Sequence, residues 1–260
     1  MSQPQWISLY VPGAEPASLA ETVESALASA GAQKYDPFGA MPGLSYPRAV
    51  KLFVAPKMGD WVRLIVSPDC VLEPVVTAAS LDAPLAAGFI SGDLTPTLTF
   101  YRGGQLVDAP AIAAFVADVG GFAAHLKRPK AGASGIGGVS SGALPSDLRA
   151  MAGGLPTKQV ERLMNSMTGA ISKGDRAGAQ AALQSVDWES GAGEWMRTTL
   201  SYLGLSDAVQ PDYTTVSTAY RTARRLTRNP NATLYPGDQE ARSAVPDVLD
   251  YLPVFYGWKS

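Results

Sequence analysis

Histidine and cysteine are almost missing from this chain, whose 260 residues hold one of each, His125 and Cys70. A single cysteine excludes an internal disulfide and any thiolate metal cluster within one chain. A lone histidine, with no histidine, cysteine or paired carboxylate at ligand spacing, excludes the usual zinc sets, so neither a metal nor a cofactor is expected. Charge is scarce too, at 17% of residues with a net of −2, and it divides evenly: 9 basic and 11 acidic residues in 1–145, 12 and 12 in 146–260. Neither half carries the basic excess of a typical nucleic-acid binder. Long apolar runs are absent as well. The nearest, AIAAFVADVGGFAAHL at 111–126, is too short to span a bilayer and is interrupted by Asp118 and Gly120-Gly121. The start, MSQPQWI, shows no charged leader and no apolar signal region, so a cytoplasmic location is expected.

What is present is core material. Hydrophobic residues make up 46% of the chain, enough to bury a core, and the length suits two domains of ordinary size. Residues 6–11 form a β-prone run closed by Pro12-Gly13. From 16 to 30, Leu19, Val23, Ala26, Leu27 and Ala30 recur at helical spacing. Residues 32–48 hold three prolines and two glycines among Tyr35, Phe38, Met41 and Tyr46; no regular element fits, and the aromatics either tuck into the core or cover a ligand site. The runs 49–55 and 61–67, joined by a turn-forming loop, predict a hairpin, and Lys51 and Arg63 within them suggest a face partly open to water. A short helix at 71–79, strands near 85–91 and 97–102, a Gly103-Gly104 turn and a helix near 110–119 complete an α+β N-terminal domain, an antiparallel sheet with helices on one face, over 1–126.

Residues 127–145, KRPKAGASGIGGVSSGALP, have the Gly, Ser and Ala content of a linker. They contain a literal G-x-S-x-G, Gly138 to Gly142, the pattern of a serine-hydrolase nucleophile elbow. That elbow needs a strand before the serine and a histidine after it, whereas 130–137 is no strand and His125 precedes Ser140. The segment reads as linker. No dinucleotide fingerprint or phosphate-binding loop is visible either.

From 146 to 260 the pattern becomes a mostly α-helical domain, with a stripe after a Thr157 cap and helices at 175–183, 194–205, 213–227 and about 238–244. Pro246 opens a last short helix, and the aromatic end, YLPVFYGW, is either docked into the core or offered to a partner through Tyr256 and Trp258.

Two features carry chemistry. Arg221, Arg224, Arg225 and Arg228 stand at i, i+3, i+4 and i+7 and would form one guanidinium stripe on a helix. Guanidinium forks grip carboxylates and phosphates; the plainer role is to neutralise Asp207, Asp212, Asp238 and Glu240. The second is 148–163, where Ala150, Gly154 and Val160 have helix-turn-helix spacing, Thr157 would cap the second helix, and Lys158, Gln159 and Arg162 would face a DNA groove. With no catalytic set visible, the expectation is a non-enzymatic protein-interaction or scaffold component whose arginine stripe and aromatic tail meet an acidic protein partner. The alternative is a helix-turn-helix DNA-binding regulator with an N-terminal sensor domain. An enzyme with a dispersed carboxylate or tyrosine site stands third.

Overall fold

The computed structural model describes residues 4–38, 46–107, 186–189, 191–201, 203–205 and 208–259. They form a mixed α+β structure on one eight-stranded antiparallel sheet. The opening run is β1 (Pro4–Pro12), and α1 (Pro16–Ser29) follows, with proline in its first turn, where a missing N–H costs nothing. A two-residue strand, β2 (Gln33–Lys34), lies in the segment for which no regular element is expected. The hairpin is β3 (Arg48–Val54) and β4 (Trp61–Val66), in a register that sets Phe53 opposite Ile65. Pro74 opens the short α2 (Glu73–Ala79), and β5 (Leu85–Ser91), β6 (Pro96–Arg102) and β7 (Gln105–Leu106) make a meander. The described C-terminal part supplies α3 (Gly191–Ser201), α4 (Tyr213–Arg228), α5 (Asp238–Ala244), a 3-10 turn (Val248–Asp250) and β8 (Leu252–Trp258).

The strand order is β2-β8-β3-β4-β1-β5-β6-β7. The aromatic end is therefore docked by main-chain pairing: β8 lies beside β3 from Arg48 opposite Trp258 to Val54 opposite Leu252. Pro253 is tolerated there because the Phe255 carbonyl accepts the Tyr35 N–H on the outer side. Residue 253, two places back, turns its missing donor to that same side, beyond the pairing of β2 with Tyr256 and Gly257. Gly257 has to be glycine, since a Cβ there would collide with the Tyr46 ring.

Alternation along the strands divides the core. Ile7, Leu9, Leu52, Leu64 and Val254 face α1 and α2, where Val23, Leu27 and Val75 meet them. The opposite face has two pockets of core. Trp6, Tyr10 and Phe100 pack against Met196 and Leu200 of α3, and Phe53, Ile65 and Phe255 against Val216 and Ala219 of α4. This corrects the expectation drawn from Lys51 and Arg63 of a face partly open to water, because the C-terminal part of the chain covers that face at Arg63. Arg63 is 1% exposed; its Nε donates to Ser8 Oγ at 2.9 Å and its Nη2 to the Val209 carbonyl at 2.9 Å. Trp6 Nε1 donates to that carbonyl too, and the Tyr10 hydroxyl donates to Ala208. The sheet thus clamps the chain just before α4. Lys51 stays partly exposed and pairs with Asp69 at 2.6 Å.

The boundary expected at 127–145 and the helices expected at 110–119, after Thr157 and at 175–183 lie outside the described residues. Within those described, 186–259 share the sheet and its cores with 4–107.

Candidate functional site

Helix α4 begins at Asp212, whose carboxylate accepts the Thr215 N–H at 2.8 Å, the usual way to satisfy an orphan donor at a helix start. Val216, Ala219 and Thr222 are buried, which turns Arg221 and Arg228 outward and sets Arg224 and Arg225 at the flanks. After Arg228 the chain turns at Asn229, whose side-chain carbonyl accepts the Asn231 N–H. It then runs back beside the helix to Gly237, where a φ of 85° favours glycine, and enters α5.

Between helix and returning loop lies a cleft of about 500 Å³. All four arginines line it. Asn229, Ala232, Thr233 and Tyr235 form the loop wall, and Phe38, from the aromatic segment before β3, closes one end. No acidic residue is among those that line it. The volume falls in the range of small-ligand sites.

The arginines differ in what they hold. Arg225 pairs with Asp238 at 2.5 Å, and that carboxylate, fully buried, also accepts from Thr222 Oγ1 at 2.9 Å and from the Tyr235 N–H at 2.8 Å. Burial pushes the Asp238 carboxyl up, but the Tyr235 amide, Arg225 and Thr222 outweigh it and hold the group below the ordinary carboxylate range. The Arg225 guanidinium also sits 4.6 Å from the centre of the Tyr235 ring, and its Nε is shut off from water with no acceptor among the described residues. Arg224 pairs with Asp36 at 2.9 Å, and Asp36 in turn accepts the Phe38 N–H, which shapes that end of the cleft. Arg221 and Arg228 are exposed and meet no carboxylate among the described residues. Among the described residues four guanidiniums face two carboxylates, which leaves Arg221 and Arg228 without a carboxylate there.

The neutralising acids are thus only partly those expected. Asp238 serves, Asp212 caps the helix instead, and Asp207 lies outside the described residues. Asp36 escaped sequence reasoning because it is 188 positions from Arg224 and no local pattern links them. Phe38 comes from the aromatic segment that could tuck into the core or cover a ligand site, and it both packs on the core and lines the cleft; Asn229, Thr233 and Tyr235 were missed as lining residues, the Asn-Pro turn after α4 being the available signal.

Tyr256 and Trp258 are not brought to this cleft. Tyr256 is 7% exposed within the core on the α1 side of the sheet, and the Trp258 indole donates to the Ala30 carbonyl at 2.9 Å while Arg48 stacks on its ring. The helix-turn-helix residues Thr157, Lys158, Gln159 and Arg162, together with His125 and Ser140, lie outside the described residues.

A second polar cluster joins Lys51, Ser67, Asp69 and Cys70 at the end of the β3–β4 hairpin, near Tyr35 and Tyr213. Burial pushes the Cys70 thiol up to about 12 and the Tyr35 phenol up to about 12, the direction that removes a nucleophile at neutral pH. Among the described residues no group of three or more His, Cys, Asp or Glu could hold a metal ion, and no helix is long and apolar enough to cross a membrane. No family model, no curated protein and no solved structure matches the chain.

Proposed function

We propose that this protein is a non-catalytic, cytoplasmic interaction component that receives an acidic segment of a partner protein in the cleft along α4. One observation carries the reading: Arg221 and Arg228, two turns apart on one face, stand exposed at a cleft that, among the described residues, has no acidic lining and offers them no carboxylate partner. Arginine in such a place offers preformed forks for carboxylate or phosphate at small entropic cost. Arg224 and Arg225 are tied to Asp36 and Asp238, so the recognition contacts fall first to Arg221 and Arg228.

The test is affinity capture from native cytosol by the full chain and by the double variant Arg221→Glu, Arg228→Glu, each with and without nuclease. A protein partner held by the wild type in both treatments and lost from the variant is the expected result. An unchanged set of partners would remove the cleft from the interaction. Recovery that vanishes with nuclease would instead favour the helix-turn-helix reading of 148–163.

A further inference from the structure

We infer that the acidic group this cleft takes is a phosphomonoester, presented on a side chain of the partner protein; the inference rests on the reading of the cleft as a partner site.

The charge count comes first. Among the described residues, the carboxylates of Asp36 and Asp238 leave two of the four guanidiniums uncompensated. A phosphorylated side chain brings about −1.5 to −2 at neutral pH, so one group matches the excess, whereas one glutamate matches half of it. Geometry points the same way. Arg221 and Arg228 are seven residues apart, about 10 Å along a helix that rises ~1.5 Å per residue, and both line the cleft together with Arg224 and Arg225. A carboxylate has two oxygens in one plane, and a bidentate fork uses both of them. A tetrahedral group has three acceptor oxygens and can take forks from two directions.

Neutral donors lie at the same place. The Asn229 side-chain carbonyl accepts the Asn231 N–H, which leaves its NH2 as a donor, and the exposed Thr233 lines the same cleft. The carrier is assigned as a protein because Tyr235, which lines the cleft, is 59% exposed although Arg225 occupies one side of its ring. Residues flanking a phosphorylated side chain can lie on that ring; a free phosphate would make no use of it.

The experiment titrates the full chain by fluorescence anisotropy with a short peptide carrying one phosphoserine and with the same peptide carrying glutamate there; adenosine monophosphate is added as competitor. The phosphopeptide is expected to bind at least about tenfold tighter than the glutamate peptide and to lose about tenfold with Arg221→Ala or Arg228→Ala. Arg242→Ala, on α5 and outside this cleft, should leave it unchanged. Equal affinity for the two peptides would overturn the phosphate assignment while the acid-binding reading stands. Adenosine monophosphate competing as strongly as the phosphopeptide would overturn the protein source, and absence of binding by every probe would overturn both readings.

Discussion

The two faces of the sheet are made from the same strands and differ in kind. Toward α1 and α2, the strands β1, β3, β4 and β8 present mostly apolar side chains, Ile7, Leu9, Leu52, Leu64 and Val254 among them. Toward α3, α4 and α5, the intervening positions include Ser8 and Arg63, and the layer above holds Thr222 and Asp238, all buried. An apolar face tolerates many arrangements of similar volume, whereas buried polar groups are stable only when each has its partner. The second face therefore fixes where α4 sits, and with it the cleft. Arg63, Trp6 and Tyr10 grip the carbonyls that lead into α4, and Asp238 grips the far end of α4 through Thr222 and Arg225.

The strongest way to break the contrast is to damage each face once. Asp238→Ala strands a largely buried guanidinium, a hydroxyl and an amide, and should cost about 3–5 kcal/mol of unfolding free energy. Leu64→Ala, fully buried on the other face, should cost a comparable ~2–5 kcal/mol through transfer and cavity terms. Urea titration at neutral pH measures both. The two then separate in acid. The folded carboxyl of Asp238 lies below its unfolded value of about 3.9, so its stabilisation is complete above that pH and is lost as the pH falls through the folded value. Asp69 is held low as well: burial raises it, but hydrogen bonds from Lys51 and Ser67 outweigh that. Wild type and Leu64→Ala should thus lose stability steeply below about pH 4, and Asp238→Ala less steeply. Parallel acid limbs in all three would show that Asp238 is not held by these donors.

Much of this contrast was legible in the sequence. β-prone runs closed by turn residues marked β1, the β3–β4 hairpin, β5 and β6, and the spacing of Arg221, Arg224, Arg225 and Arg228 against Val216 and Ala219 marked one face of α4. What stayed hidden depended on contacts distant in sequence. Arg63 reads as a solvent-facing residue until α3 and the chain before α4 cover it from 146 positions away. Pro253 and Gly257 disguise 252–258 as an irregular tail, since proline weakens a strand and glycine packs nothing; only the open outer side at 253 and the Tyr46 ring at 257 explain them. The arginine stripe could be seen, but its division into two tied and two untied members could not, because Asp36 comes from the other end of the chain.

A finer comparison uses two neighbours on β4, Arg63 and Leu64, which point to opposite faces. Methionine fits either place by volume. Leu64→Met should cost less than about 1.5 kcal/mol, as volume-conserving apolar swaps do. Arg63→Met removes the donors to Ser8 and Val209 and should cost more, about 1.5–3 kcal/mol, with faster amide exchange around 208–212. Equal costs for the two would mean that the guanidinium contributes only volume to its face.

The smallest effect on stability should come from the cleft's own counter-ion. Asp36 is 44% exposed on its side chain and Arg224 28%, so their pair contributes at most about 1 kcal/mol, and Asp36→Asn should move the unfolding midpoint little. The amide can still accept the Phe38 N–H, which keeps that end of the cleft in place. What changes is charge: Arg224 loses its carboxylate and a third guanidinium becomes available to an acidic ligand. Affinity for an acidic peptide should then rise about three- to tenfold at low salt, and the gain should shrink as ionic strength grows. Asp36 would in that case be an internal competitor, occupying in the free protein a guanidinium that the partner uses in the complex. Weaker binding by Asp36→Asn would mean the reverse, that the ion pair holds Arg224 and Phe38 in the shape the ligand needs.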